Sequence, residues 1–353
     1  MNDKDLSEHL KSLLRAPGLS AFEAPVRELV EAAWKPYAPQ QTVSRLGSLH
    51  ALQPGTGRSP RPKILLAAHM DMVGLMVTQV EGGFCRITEI GGLDARILPG
   101  QMVLIHGRED VPATVVMPPA ALLPPDRKTD IPRLRDLWLD TGLPEAEAAR
   151  LIRTGDTAAF YQPPLDLAGG RIAGRSLDDR AGVAALTVCL AALAARPHPW
   201  DVIAAATVQE EETLGGAATS SFALHPDIAI AVDVTFGAAP GLPEHKTYPL
   251  GEGPTIGMGP NVHPGVHRWL IQTAAKAGIK YALEIMPTHS GTDAIAMQVA
   301  AEGIPTGVIG IPLRSMHTAV ETVALADIQA AGRLLAEGIG ALDDGFLPNL
   351  RWE

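Results

Sequence analysis

Four short runs of consecutive apolar residues punctuate the chain, at 64–68, 202–208, 228–234 and 306–311. Each is too short for a buried helix and too unbroken for a strand with one wet face, so each predicts a strand covered on both sides. Stretches with helical spacing lie among them, at 180–195, 266–277, 292–301 and 325–341. At the start, Leu6, Leu10, Leu13 and Leu14 share one face of a first helix, which stops at Pro17-Gly18. A second helix is expected to open at Ser20-Ala-Phe-Glu23, where the spacing matches a capping box and both side chains would satisfy free amides. Alternation of doubly covered strands with helices predicts an α/β fold, a mixed, mostly parallel sheet flanked by helices.

Residues 74–168 read differently. Alternating positions around Gly82-Gly83 predict a hairpin, and 103–106 and 113–117 predict further short strands. The proline-rich span 117–135 predicts an irregular, exposed loop. The expected organisation is a main domain built from 1–73 and 169–353, with a small, β-barrel-like domain inserted at 74–168. That insert has few residues with which to close a core of its own. Its apolar positions Leu75, Val77, Ile87, Ile90 and Leu93 therefore predict an interface.

Composition narrows the possibilities. The 353 residues exceed the usual size of a single core. Hydrophobic residues make up 46% and aromatics only 4%, so Ala, Val, Leu and Ile must build the interior. A net charge of −10 argues against nucleic acid or an anionic membrane as partner. The charged start lacks the apolar stretch of a signal peptide. The longest apolar run, at 181–195, falls short of the roughly 20 residues that span a bilayer. Cys85 and Cys189 are the only cysteines, which excludes a disulfide framework and fits a reducing cytoplasm. The expected location is cytoplasmic.

Candidate chemistry gathers at the ends of the predicted strands. His69, Asp178, Glu211, Asp233 and His317 each stand at a strand end or a strand-to-helix turn, where open α/β sheets build their sites. Two imidazoles and three carboxylates are the ligand set of a two-metal hydrolase. Two divalent cations, three carboxylates and a bridging hydroxide sum to a neutral core, which burial favours. Asp71, two residues past His69, is placed to hydrogen-bond the imidazole or to cap a helix. Asp178 offers two oxygens to two ions, whereas Asp179 and Arg180 read as a plain surface pair. In the run Glu210-Glu211-Glu212, one acid can ligate while its neighbour moves a proton.

These segments resemble the tetrahedral (deblocking or glutamyl) aminopeptidases, a family of dinuclear metallopeptidases. The resemblance rests on 17–23, His69-Met-Asp71-Met-Val-Gly74, Ile90-Gly91-Gly92-Leu93, Leu98-Pro-Gly100-Gln101 and Leu177-Asp178-Asp179-Arg180-Ala-Gly182. It continues through Gln209-Glu210-Glu211, Gly216-Ala217, Gly291-Thr292-Asp293 and Arg314-Ser-Met316-His317-Thr318 with Glu321. The chain departs from the family's usual residues at Met72, Glu212-Thr213, Thr288-His289-Ser290 and Ser315.

The resemblance implies a zinc-exopeptidase-like main domain that removes N-terminal residues from short peptides. Two divalent ions, zinc or cobalt, would be held with Asp178 bridging, His69 and Asp233 completing one site and Glu211 and His317 the other. A metal-bridged hydroxide would be the nucleophile and Glu210 the general base and acid, with Asp71 in support. It also implies a cis peptide after Asp178, a dimerising β insert and dimers assembled into a dodecamer. Alternative readings are an acylamino or other amidohydrolase on the same core, an endoglucanase, as some relatives are labelled, and a non-catalytic oligomeric scaffold. Glycosidases need two free carboxyl groups across the scissile bond, and the ligand set leaves no obvious second one.

Overall fold

The four apolar runs become neighbouring parallel strands at the centre of one sheet, in the order Asp201–Thr207, Lys63–His69, Ile228–Phe236, Thr306–Arg314. The computed structural model describes residues 1–125 and 130–352. Both faces of these strands are covered. Ile64, Leu66 and Ala68 point into one core layer and Leu65 and Ala67 into another, as the two-residue repeat of a strand requires. Antiparallel strands extend both edges to make an eleven-stranded mixed sheet. Leu49–Gln53 and Gln40–Val43 lie on one side; Glu321–Ala324, Arg171–Gly174 and Leu165–Leu167 lie on the other. A branch, Thr255–Met258 with Ala282–Ile285, pairs onto Thr306–Arg314.

The helix Leu177–Ala194 is apolar on nearly all sides and correspondingly buried, between the sheet and the helices Asp3–Arg15 and Leu325–Gly340. Its neighbour approaches closely at Gly332, where a Cβ would lie 2.5 Å from the Ala185 carbonyl. The predicted helices at 266–277 and 325–341 appear as Pro264–Ala277 and Leu325–Gly340, but 292–301 shortens to Ala294–Gln298. There the Ile304 amide takes the Gln298 carbonyl and ends the helix early.

The expected capping box does not form. The second helix runs Ala24–Trp34 and carries Pro25 in its first turn, which already removes one free amide. Ser20 instead donates to Asp71 Oδ2 at 2.7 Å, and Glu23 accepts from the amides of Ala21 and Gln209.

Six short strands close a separate barrel in the order Gly74–Glu81, Phe84–Ile90, Trp138–Asp140, Asp110–Val116, Met102–His106, Thr157–Phe160. The hairpin turn falls at Gly82-Gly83, both at positive φ, as a tight two-residue turn demands. Closure overturns the expectation that the insert lacks a core. Leu75, Val77 and Ile87 turn inward and pack with Cys85, Val103, Ile105, Val115 and Leu139. Alternate residues of strands wrapped around one axis converge on it, so few are enough. Ile90 is buried as well, with Leu19 and Met72, leaving only Leu93 of the five expected interface positions partly exposed. The described residues of 117–135 form 3₁₀ turns at Ala120–Leu122 and Leu134–Asp136 and are mostly exposed; 126–129 lie outside the described residues. No helix among the described residues is long and apolar enough to cross a membrane.

Candidate metal centre

The parallel strands end on one edge of the sheet, and that edge carries the candidate ligands. His69 is the last residue of its strand and pairs across from Thr207, just before Glu210 and Glu211. Asp233 lies on the strand at His69's other side, and His317 follows the next strand. Asp178 enters from the start of the helix Leu177–Ala194. The fold thus brings all five together in two groups that share Asp178: His69, Asp178 and Asp233, then Asp178, Glu211 and His317. Asp178 Oδ1 lies 3.0 Å from His69 Nε2, and its Oδ2 lies 3.3 Å from His317 Nε2. Asp233 Oδ1 is 3.9 Å from His69 Nε2, and Glu211 Oε2 is 3.4 Å from His317 Nε2. Glu210 Oε2 faces the same space, 3.8 Å from His69 Nε2.

Other side chains hold these groups in place. Asp71 joins the two alternatives offered for it. His69 Nδ1 lies 3.2 Å from the Asp71 backbone carbonyl and 3.5 Å from its Oδ1, and the Asp71 carboxylate accepts the amides of Glu210 (3.0 Å) and Glu211 (3.3 Å), so the helix turn it caps is a distant one. Glu321, quoted in the motif without a role, accepts the amides of Asp178 and His317 with its two oxygens. Its one sequence signal is an acid four residues after His317. Asp293 accepts from the Thr207 hydroxyl and keeps its other oxygen without a partner. The Asp178–Asp179 peptide is cis, and Asp179 accepts the Gly182 amide.

Arg180 is not half of a surface pair. It is fully buried and donates to the carbonyls of Leu13, Ala16 and Met70, because the helix that carries it runs under the sheet and its chain end must be satisfied by backbone. Ser176, Gln209, Ser315 and His317, all beside or within the ligand set, have left-handed backbone. Such positions cost on the order of 1–3 kcal/mol each and cluster where a site imposes them.

Comparison with known proteins identifies the family. The profile described as M42 glutamyl aminopeptidase matches residues 47–334. The chain belongs to this family. It is 33% identical to the lysyl aminopeptidase of Pyrococcus furiosus over 91% of its own length and 93% of that protein. The TET aminopeptidase of a marine-sediment Thaumarchaeota archaeon superimposes with a TM-score of 0.94 at 30% identity, covering 99% of this chain and all of that one. The Pyrococcus horikoshii TET1 peptidase, which can assemble into a tetrahedron or a large octahedral shell, superimposes with a TM-score of 0.83 at 29% identity, over 96% and 100%. The chain is accordingly an enzyme, a peptidase of the aminopeptidase class.

Burial and mutual repulsion dominate the electrostatics of this M42 centre. Burial pushes Glu211 up to about 8, and the nearby Asp178 adds to the rise. Burial likewise pushes Glu210 up to about 10, against His69 and with the help of Asp233 and Asp293. Asp233 is raised well above the carboxylate range by burial and by Asp179. Burial alone would lower His69, but Glu210, Asp178, Asp71 and Asp233 overrule it and raise the ring well above its ordinary value. Two imidazoles thus face a surplus of buried carboxylates. Glu211 Oε1 has no protein partner at all. Cations at the two groups would complete both, and a nitrogen and oxygen set without thiolate fits divalent ions such as zinc or cobalt.

Proposed function

We propose that this aminopeptidase binds two divalent ions, zinc or cobalt, and removes N-terminal residues from short peptides. The observation that carries the reading is Asp178, whose two oxygens face two different histidines, each with its own further carboxylate. His69, Asp178 and Asp233 would hold one ion, and Asp178, Glu211 and His317 the other. When bound, the ions would supply Lewis acidity, making water acidic at neutral pH and stabilising charge on the scissile carbonyl.

The remaining work falls to the chain's own groups. With ions bound, their positive charge would offset the burial and keep Glu210 ionised, so that its carboxylate takes the proton of the attacking water and returns it to the leaving amine. Asp71 holds the backbone of Glu210 and Glu211 and steadies His69 from the side away from the substrate. Glu321 ties the backbones that carry Asp178 and His317, so the shared ligand and the outer one keep a fixed spacing.

The division into a catalytic domain at 1–73 and 169–353 and a dimerising domain at 74–168 belongs to the same reading. Relatives seen as a dodecamer, or able to assemble into a tetrahedron or a large octahedral shell, support a homo-oligomer, and the proposed assembly is one of dimers built into a dodecamer. With the inner faces of the barrel used for its own core, its outer surface carries the contact: exposed Phe84, Met102 and Tyr161, and a groove of ≈ 540 Å³ lined by Phe84, Val116, Met117, Pro118 and Trp138.

The test pairs metal analysis with turnover on a panel of aminoacyl anilides, before and after chelation. Two ions per chain and chelator-sensitive activity are expected. Asp178→Ala is expected to empty both sites, and two full sites in that variant would sink the reading.

A further inference from the structure

The two ligand groups differ in what supports them. The His69 side chain is only 2% exposed, walled in by the main sheet, whereas that of His317 is 31% exposed. The His317 ring is steadied from outside the sheet. Its Nδ1 donates to the Gly92 carbonyl at 2.7 Å, which presents Nε2 to Asp178 and Glu211. Gly92 lies in the segment that leaves the barrel strand Phe84–Ile90. Two glycines in succession make that segment pliable, and it has no room to be stiffened. Gly91 has φ +73°, and a Cβ there would lie 2.7 Å from Val73 Cγ1.

One side chain ties the segment down. Glu212 Oε1 accepts the Gly91 amide at 2.6 Å, a short, charge-assisted bond. Glu212 follows Glu211 in the turn Glu210–Thr213, whose leading amides Asp71 already holds. The chain of contacts therefore closes a loop: Asp71 to the Glu turn, Glu212 to Gly91, Gly92 to His317, and His317 back to Glu211.

We propose that Glu212 is a positioning residue for the outer ion site. It fastens the Gly91-Gly92 segment to the turn that carries Glu211, so that the Gly92 carbonyl holds His317 in its ligating orientation. The proposal rests on the two-ion reading above. It makes a segment of the barrel part of the outer site, while the inner site at His69 and Asp233 stands without it.

Calorimetric titration of the metal-free enzyme with Co²⁺ reads both affinities, and His317→Ala identifies which step is the outer one. Glu212→Ala is expected to weaken that step by about 10–100-fold, the usual effect of losing a group that orients a ligand, and to leave the inner step unchanged. Glu212→Gln keeps an acceptor oxygen and is expected to recover most of the affinity. If Glu212→Ala does not fold, Glu212→Asp, with a carboxylate one bond too short, gives the same readout. Equal weakening of both steps, or no weakening of either, overturns the proposal. If the unaltered enzyme takes up fewer than two ions, the two-ion reading falls and the proposal with it. If it takes up two and Glu212→Ala behaves identically, only the proposal falls.

Discussion

Glu210 and Glu211 are adjacent in the chain yet face different parts of the centre, 3.8 Å from His69 Nε2 and 3.4 Å from His317 Nε2 respectively. Glutamine in place of either keeps the shape and removes the carboxylate. Glu210→Gln is expected to retain both ions while turnover falls about 10²–10⁴-fold, the usual worth of general acid–base catalysis. Glu211→Gln is expected to lose the outer ion first. Metal content measured beside kcat separates the two, and exchanged phenotypes would move the base to position 211. The assignment is sharp because Asp71 holds both backbones and leaves only the side-chain directions to differ.

Among the elements, the packing of the first two helices on the helix Leu177–Ala194 turns on Thr187, which is fully buried. Its hydroxyl donates to the Val183 carbonyl and accepts from Trp34 Nε1. With that proton committed, His9 Nε2, 3.0 Å away, must be the donor. Burial lowers His9 to about 4. Above about pH 6.5 the ring is neutral in both folded and unfolded chains and adds no pH dependence. Between about 6.5 and 4 the unfolded chain binds a proton that the fold refuses, so stability falls as pH falls. Denaturation curves across this range are expected to show a loss of about 1–3 kcal/mol that His9→Gln removes. An unaltered acid slope in His9→Gln would place the loss elsewhere.

For the whole molecule, the barrel is the part to which the proposed contact between chains belongs. Its core is complete, yet its outer face keeps Phe84, Met102 and Tyr161 in solvent. Mass measurement in solution is expected to show dimers or their multiples. Tyr161→Lys combined with Phe84→Lys, both outside the barrel core, is expected to shift the population toward monomer. A monodisperse monomer of the unaltered protein under metal-replete conditions would overturn the assembly and leave the chemistry of each chain untouched.

The central strands, the Gly82-Gly83 hairpin and the strand-end position of His69 were legible in the sequence, whereas Asp233, read as closing its apolar run, lies inside the strand Ile228–Phe236. An apolar run covered on both faces, two residues that tolerate positive φ, and a polar residue closing an apolar run are each local signals. Local periodicity states which face of a segment is apolar and is silent about what covers it. The same positions Leu75, Val77 and Ile87 read equally well as an interface until six strands closed around them. Polar partners far apart in sequence were hidden for the same reason. Ser20 finds Asp71 across 51 residues instead of its own helix, Arg180 finds the Leu13 carbonyl across 167, and His317 finds Gly92 across 225. Ser20 and Arg180 must be paired once buried and His317 is fixed by its bond, and only the folded chain decides which distant group is close enough to do it.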